Sequence, residues 1–272
     1  MNTVLARCAF RALVLLWLAA GSGVRPAAAQ EALTELLSAQ MHPLSVEQGA
    51  LSGDGAAVLL EAAANAQFFL IAEEHNVGEL NAIAQALFAD APAEARVLIG
   101  ALMRTTRIYY AWAEGRRGRP TGYFSSADRE LSMKRRFMER YQAARATGDP
   151  RPRVLVKAGH WHAFRGIYRA AVPTFGNFLS EFAISNGMES FVLSTYVTDS
   201  QEDWRNTSGP LASVVPEGVT AVVDFRPLRG LARQNAIDGL DDAFKATLFR
   251  ADAALVISGG RTGASTVADS AR

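Results

Sequence analysis

The sequence predicts an α/β fold in which a mixed, largely parallel sheet has helices on both faces. Short apolar runs alternate along the chain with segments in which apolar residues recur at helical spacing. The run at residues 67–72 is apolar almost without interruption, as in strands that are buried on both faces of a sheet. Strands that alternate with helices form crossover units, and these place helices on both sides of the sheet.

Local signals in chain order predict the individual elements. Asp54 is expected to cap the second helix, because its carboxylate can accept the exposed amide hydrogens of the first turn. Pro92 is expected to open a long helix, and Ser126 to cap the next one, which then has acidic residues in its first turn. Asn186 and Gly187 end the last predicted helix. Helices are predicted at residues 31–40, 55–65, 79–88, 92–115, 126–147 and 176–185, and strands at residues 67–72, 153–158, 190–197, 219–225 and 253–258.

Residues 1–29 have the pattern of a secretory signal peptide. Basic residues precede a short apolar run that is followed by alanines, so cleavage is expected after Ala29. The run is shorter than the roughly 20 residues that span a bilayer. The protein is therefore expected to be periplasmic or secreted, with no stable membrane span after cleavage. Residues 30–258 are predicted to form a single α/β domain with a helical segment at about 92–147, and residues 259–272 a disordered tail.

The composition argues against several kinds of chemistry. The only cysteine, Cys8, lies in the predicted signal peptide, so the mature chain is expected to have no thiol nucleophile and no cysteine metal ligand. No Gly-x-Ser-x-Gly motif occurs, which argues against a serine nucleophile. The 28 basic and 27 acidic residues nearly balance and form no long basic tract, so nucleic acid is not an expected partner. A small molecule is the expected ligand or substrate.

Three of the four histidines follow two of the predicted strands. Glu73 and His75 follow the first of these strands, and His160 and His162 follow the second. Residues two apart in a strand share a face, so the members of each pair are expected to point the same way. Open α/β sheets bind ligands beyond the carboxyl ends of their strands. The pattern therefore predicts one site built from all four residues.

Two chemistries are open at this site. Glu73, His75, His160 and His162 could hold Zn²⁺, Mn²⁺ or Fe²⁺ with one position left for water, whose pKa falls on coordination. The same residues could act without a metal, with His75 as a general base oriented by Glu73 or another acid, and with His162 assisting the developing oxyanion. Asp224 follows a core-type strand and is a further candidate for this rim, with helix capping as its alternative role.

At these residues the chain resembles the erythromycin esterase/ChaN-like superfamily. In that superfamily one strand ends in a Gly-Glu-x-His type motif and a later strand in a Gly-x-x-His type motif. Here residues 72–75 read Ala-Glu-Glu-His and residues 159–162 read Gly-His-Trp-His. The resemblance covers most of residues 60–258. It implies a three-layer α/β sandwich with a polar cleft, in a group that ranges from ester hydrolases and a metalloprotease branch to haem-binding proteins.

The resemblance assigns motif positions to Glu73, His75 and His162, and it indicates two departures. Ala72 stands where the motif has glycine, and only residues 89–91 join the third predicted helix to the fourth. The further strand and second carboxylate that similar proteins carry there are therefore expected to be missing. If the protein is an enzyme, another acid must orient the base, and Asp224 is the best remaining candidate.

The leading hypothesis from the sequence is an exported hydrolase-like protein that activates water at Glu73, His75 and His162, with or without a divalent metal, to cleave an ester or amide. The alternative is a non-enzymatic protein that binds haem or another planar iron-bearing ligand through His75, His160 or His162. Trp161 would then flank the ligand, with a tyrosine such as Tyr109 nearby. A degenerate, non-catalytic member of the superfamily is the third hypothesis.

Overall fold

The computed structural model describes residues 27–73, 78–90, 95–97, 122–168, 172–197 and 205–258. Its helices are α1 (Ala27–Ser38), α2 (Asp54–Asn65), α3 (Gly78–Asp90), α4 (Gly122–Ala146), α5 (His160–Ala163), α6 (Phe175–Ser185), α7 (Arg205–Ala212), α8 (Leu228–Arg233) and α9 (Asp242–Arg250). Its strands are β1 (Met41–Pro43), β2 (Ser45–Glu47), β3 (Ala50–Ser52), β4 (Phe68–Glu73), β5 (Ala95–Val97), β6 (Arg153–Gly159), β7 (Ile167–Tyr168), β8 (Val172–Pro173), β9 (Ser190–Val197), β10 (Thr220–Asp224) and β11 (Ala253–Ile257).

One mixed sheet organises the described chain. Its seven strands run in the order β1-β10-β11-β9-β4-β6-β5. The pairs from β11 to β5 are parallel, and the two pairs that involve β10 are antiparallel. The carboxyl ends of the parallel strands therefore lie along one edge of the sheet. Helices cover both faces, so the predicted α/β sandwich with a mixed, largely parallel sheet is confirmed.

Alternation along β4 divides the core into two layers. Phe68, Leu70 and Ala72 face a cluster that includes α1, α4, α6 and α9. Phe69 and Ile71 face the other cluster, which is formed by α2 and α3. We call these two sides the α4 face and the α3 face. Because β4 is central and buried on both sides, its run of apolar residues is the pattern that such a strand requires.

Aromatic packing fixes how α4 lies on its face. Phe68 at the start of β4 contacts Phe137 and Tyr141, with ring centroids 5.3 and 5.6 Å apart. Phe182 on α6 closes the cluster against Tyr141 at 5.4 Å. Such ring pairs each add about 0.5–1.5 kcal/mol beyond the burial of their area. Since the carboxyl-terminal half of α4 lies over the start of β4, its amino-terminal half lies toward the carboxyl edge of the sheet.

The helix predicted after Pro92 is wrong where the structure describes it. Residues 95–97, predicted as helix after Pro92, form strand β5, which pairs in parallel with β6 from Ala95 opposite Arg153. The further strand expected to be missing is therefore present, as a three-residue strand at the end of the sheet. Residues 98–121, which include the rest of the predicted helix and Tyr109, lie outside the described residues.

Two predicted helix starts are also corrected. Gly53 rather than Asp54 is the N-cap of α2, and no side chain caps that helix. Helix α4 begins at Gly122 rather than at Ser126, and it has no acidic residue in its first turn. Glu130 therefore lies in about the third turn of the helix. The remaining predicted helices and strands within the described residues are confirmed, with shifts of a few residues at their ends.

No helix among the described residues is long and apolar enough to cross a membrane. Residues 1–26 and 259–272 lie outside the described part of the chain, so the signal peptide and the disordered tail stay predictions. Helix α1 begins at Ala27 and contributes Leu33 and Leu37 to the core of the α4 face.

Candidate functional site

The two histidines after β6 do not continue the strand. The strand ends at Gly159, and residues His160 to Ala163 form one turn of helix, α5. Successive residues of a helix are rotated by about 100°, so residues two apart point about 200° away from each other. The prediction that His160 and His162 share a face is therefore wrong, and each ring has its own surroundings.

His162 forms a buried pair with a glutamate that the sequence did not single out. Its Nδ1 lies 2.5 Å from Oε1 of Glu130 on α4 and donates a hydrogen bond to that carboxylate. The side chain of His162 is 9% exposed and that of Glu130 is 0% exposed. The second carboxylate oxygen, Oε2, is buried and has no hydrogen-bond partner among the described residues. We call this arrangement the Glu130–His162 pair.

Lys134, one turn beyond Glu130 on α4, adds a positive charge near the pair. Its Nζ donates a hydrogen bond to the backbone oxygen of Pro173 at 2.5 Å. Partial burial lowers the pKa of Lys134, and the negative charge of Glu130 works in the opposite direction. The ammonium group thus tethers α4 to β8 and offsets part of the cost of burying the glutamate.

The turn that carries His162 is held by a close backbone approach. A Cβ atom added to Gly176 on α6 would lie 1.7 Å from the carbonyl oxygen of Ala163, so only glycine fits there. Thr174 accepts a hydrogen bond from the amide of Asn177 and donates one to the oxygen of Phe164. The amino end of α6 therefore packs directly against α5 and fixes the position of the His162 ring.

His160 lies on the other side of the turn, against Tyr196. The two ring centroids are 5.6 Å apart, and the ring of His160 also lies near Trp161 and Phe164. Burial, with a smaller contribution from the charge of Arg250, lowers the pKa of His160 to about 4. His160 is therefore neutral near pH 7. Its packing and its hydrogen bond with the backbone of Thr195 hold the ring beneath the surface.

Glu73 faces away from the Glu130–His162 pair. It continues the alternation of Phe69 and Ile71 and therefore lies on the α3 face at the end of β4. Its carboxylate forms an ion pair with Lys157, whose backbone is in register with Ile71. The side chains of Lys157 and Glu73 are 34% and 21% exposed. The sheet thus separates Glu73 from His162, and these two residues do not form one cluster.

The described members of the predicted metal site do not come together. No group of three His, Cys, Asp or Glu residues among the described residues could hold a metal ion. The physical reason is that Glu73, His160 and His162 lie in three separate environments, on two faces of the sheet and on two sides of a helical turn. His75, the fourth predicted ligand and the predicted base, lies outside the described residues.

Asp224 is too far away to orient His162, so its predicted place at this rim is wrong. It ends β10 beside Ala253, the first residue of β11. Strands β11, β9 and β4 separate β10 from β6, the strand that His162 follows, and four strand spacings amount to about 19 Å. The carboxylate of Asp224 instead accepts hydrogen bonds from Arg226, at 3.0 Å from Nε and 2.7 Å from Nη2. Glu130, and not Asp224, is the acid that contacts His162.

Each member of the pair has a large exposed apolar side chain as its neighbour in the sequence. Trp161, next to His162 on α5, is 44% exposed, and Leu131, next to Glu130 on α4, is 45% exposed. An exposed indole and an exposed leucine offer apolar contacts to a ligand. Trp161, predicted as a binding residue, is thus positioned at the surface, whereas His160 is packed beneath it.

Glu130 could have been found from its place in the helical pattern. It precedes Phe137 by seven residues and Tyr141 by eleven, so the three residues lie on one stripe of α4. Phe137 and Tyr141 are buried, and a carboxylate on such a stripe must also be buried. Buried carboxylates need a partner. A glutamate on an apolar helical stripe is therefore a signal for a functional pair, even when no motif surrounds it.

Comparisons with protein-family models, with curated proteins and with solved structures found no match to this chain. The likeness to the erythromycin esterase/ChaN-like superfamily therefore remains an inference from the two short motifs.

Proposed function

We propose that the protein is a hydrolase-like member of the erythromycin esterase/ChaN-like superfamily that cleaves an ester or amide by activating water at the Glu130–His162 pair. The observation that carries the proposal is the 2.5 Å contact between Nδ1 of His162 and Oε1 of a fully buried glutamate. A carboxylate bound to one ring nitrogen selects the tautomer whose other nitrogen can accept a proton.

In this mechanism His162 is the general base. Its Nε2 takes a proton from the attacking water, and the imidazolium that forms is stabilised by the Glu130 carboxylate across the Nδ1 hydrogen bond. Burial strengthens this stabilisation, because the effective dielectric constant around the pair is lower than that of water. The ring later returns the proton to the leaving group, so the pair ends the cycle in its starting state.

The surroundings of the pair support a small substrate with an apolar part. Trp161 and Leu131, the sequence neighbours of the two members of the pair, supply exposed apolar surface on α5 and α4. The rigid contact between Gly176 and Ala163 holds the turn that carries the base. Precise placement of catalytic groups supplies much of an enzyme's rate enhancement. The proposal thus gives His162 the role of base that the sequence analysis gave to His75, and the oxyanion role that it gave to His162 passes to another group.

The test is hydrolysis of a panel of nitrophenyl esters, lactones and anilides by the purified protein, with and without added Zn²⁺ or Mn²⁺. We expect turnover that falls about 10²- to 10⁴-fold in His162→Asn and in Glu130→Gln, the usual contribution of a general base. His42→Asn is the matched control, because His42 lies in β1 at the far end of the sheet. Circular dichroism of each variant checks the fold.

Haem binding is the competing outcome of the same experiment. Haemin is added to the wild-type protein, to His162→Ala and to His160→Ala, and the Soret band is recorded. A Soret shift that one of these replacements abolishes, without hydrolysis of any substrate, would replace the hydrolase proposal by the binding one. Absence of both turnover and a Soret shift would leave a degenerate member as the remaining hypothesis.

A further inference from the structure

Four arginines line a pocket at the edge of the sheet opposite the Glu130–His162 pair. The pocket has a volume of about 480 Å³. It lies at the amino-terminal ends of the parallel strands, where Ser190 begins β9 and Asp252 precedes β11. We call it the arginine pocket, and its arginines are Arg165, Arg226, Arg229 and Arg233.

Two of the arginines share a single carboxylate. Arg165 Nη1 donates to Oδ1 of Asp252 at 3.0 Å, and Arg229 Nη1 lies 2.8 Å from the same oxygen. The pKa of Arg229 is lowered, mainly by burial. The charge of Asp252 raises this pKa, and the charges of Arg165 and Arg233 lower it further. Two guanidinium charges against one carboxylate leave an excess positive charge at the inner end of the pocket.

The other two arginines retain unused donors. Arg226 directs Nε and Nη2 to Asp224, and its Nη1 has no hydrogen-bond partner in the described chain. Arg233 lies over the ring of Phe249, with its guanidinium carbon 5.3 Å from the ring centroid. The described residues give Arg233 no acidic partner. A guanidinium has five N–H donors in one plane, so both side chains can still bind a planar anion.

The charge and the lining of the pocket indicate the size of the anion. The four arginines are opposed by Asp252, Glu181 and Glu189 in the lining and by Asp224, which pairs with Arg226; this gives 4 − 4, or no net charge around the pocket. A site without excess positive charge suits a monoanion better than a dianion. Ile184 and Met188 are among the apolar residues of the lining, and the volume is that of a small-molecule site.

We propose that the arginine pocket binds a small organic carboxylate, with the carboxylate on Arg226 and Arg233 and the apolar body against Ile184 and Met188. This site is separate from the Glu130–His162 pair and goes beyond the proposed hydrolysis. The guanidinium groups hold the carboxylate by charge-assisted hydrogen bonds, and the ring of Phe249 supports the guanidinium of Arg233 from one side.

The test is calorimetric titration of the purified protein with benzoate, with benzamide and with inorganic phosphate. Benzamide has the shape of benzoate without its charge, and phosphate has the charge without an apolar body. We expect saturable binding of benzoate. Benzamide should bind more weakly by about tenfold or more, because it loses a charge-assisted hydrogen bond, and phosphate by about tenfold or more, because it lacks the apolar contact.

The variants locate the binding. Arg233→Gln is expected to weaken the binding of benzoate by about tenfold. Arg140 is exposed on α4 and lies outside the pocket lining, so Arg140→Gln is expected to leave the affinity for benzoate unchanged. Ile184→Asp places a negative charge at a position that is 71% exposed and should also weaken benzoate without disturbing the fold. Glu130→Gln should retain the binding, which separates this site from the proposed catalytic one.

The proposal is overturned if benzamide binds as tightly as benzoate, if phosphate binds more tightly, or if neither Arg233→Gln nor Ile184→Asp weakens the binding. It is also overturned if no saturable heat appears up to about 10 mM benzoate, the weak end of specific affinities.

Discussion

The two carboxylate–base pairs at the carboxyl edge of the sheet differ in how far water reaches them. Glu73 and Lys157 on the α3 face are both partly exposed, whereas Glu130 is fully buried and His162 nearly so on the α4 face. An exposed pair is solvated and contributes little to stability. A buried pair costs desolvation that its own attraction often fails to recover. The Glu73–Lys157 pair therefore needs no explanation beyond its small effect on stability, whereas stability does not explain why the Glu130–His162 pair is buried.

The difference indicates which pair has a function beyond folding. Glu130 keeps one carboxylate oxygen without a hydrogen-bond partner in the described chain, which is the arrangement that a purely structural pair avoids. Groups that are retained despite such a cost are common at catalytic and ligand sites. We therefore interpret the α4-face pair as functional and the α3-face pair as a surface ion pair.

The largest expected effect on stability comes from breaking the buried pair. His162→Ala leaves the carboxylate of Glu130 buried without its donor, and we expect a loss of about 3–5 kcal/mol in the free energy of unfolding. The measurement is urea unfolding followed by circular dichroism. The control is the double variant Glu130→Leu/His162→Leu, which fills the site with apolar groups and should recover most of the loss. A single variant as stable as the wild type would contradict the burial argument.

Acid should lower the free energy of unfolding through His160, which lies on the α4 face. Its pKa of about 4 in the folded protein lies below the value of about 6.5 in an unfolded chain, so protonation favours unfolding. The contribution is fully present above about pH 6.5, is lost as the pH falls to about 4, and amounts to about 3 kcal/mol. Urea unfolding across this range should show a shallower pH dependence for His160→Gln than for the wild type, and an unchanged one for His42→Asn. Parallel curves for all three proteins would count against the burial of His160.

Disturbing the backbone contact between Gly176 and Ala163 should lower the stability by nearly as much. Gly176→Ala forces a Cβ atom against the carbonyl oxygen of Ala163, and overpacking of this kind costs about 1–3 kcal/mol. We expect reduced stability by urea unfolding together with reduced turnover, since α5 must shift. Gly230→Ala in α8, where no atom lies within 4 Å of the added Cβ, is the matched control. Equal stabilities of the two alanine variants would show that α5 and α6 are not in close contact.

The exposed pair should give the smallest effect. Lys157→Gln removes the partner of Glu73 on the α3 face, and we expect a change of less than about 1 kcal/mol in the free energy of unfolding. We also expect the change to shrink further at high salt, because exposed charges are screened. Thermal unfolding at low and high ionic strength measures both quantities. A loss as large as that of His162→Ala would remove the contrast between the two faces.

The central strands and several long helices could be predicted because their signals are local. The apolar run of β4 and the β-branched and aromatic residues of β9 require only neighbouring residues, and Thr174 and Gly187 mark the ends of α6 in the sequence. Strand β5 could not be predicted, since three residues after a proline carry no periodicity. Its strand conformation depends on pairing with β6, which is a contact between distant parts of the chain.

The site was predicted in part. The position of His162 beyond β6 follows from the rule that sites lie at the carboxyl ends of strands. The turn that separates His160 from His162 depends on Gly176, which lies far along the chain, so the strand pattern alone gave the wrong faces. The partner acid was assigned to Asp224 because both residues follow strands, whereas the structure supplies Glu130 from a helix.

The most direct test of the account asks whether Glu130 and His162 act as one base. The measurement is kcat of the wild type, Glu130→Gln, His162→Asn and the double variant on the ester that the wild type hydrolyses fastest. Residues that act as a unit give non-additive losses. We therefore predict that the double variant is no slower than His162→Asn alone. Losses that multiply in the double variant, or a Glu130→Gln variant as fast as the wild type, would contradict the proposed role of the buried pair.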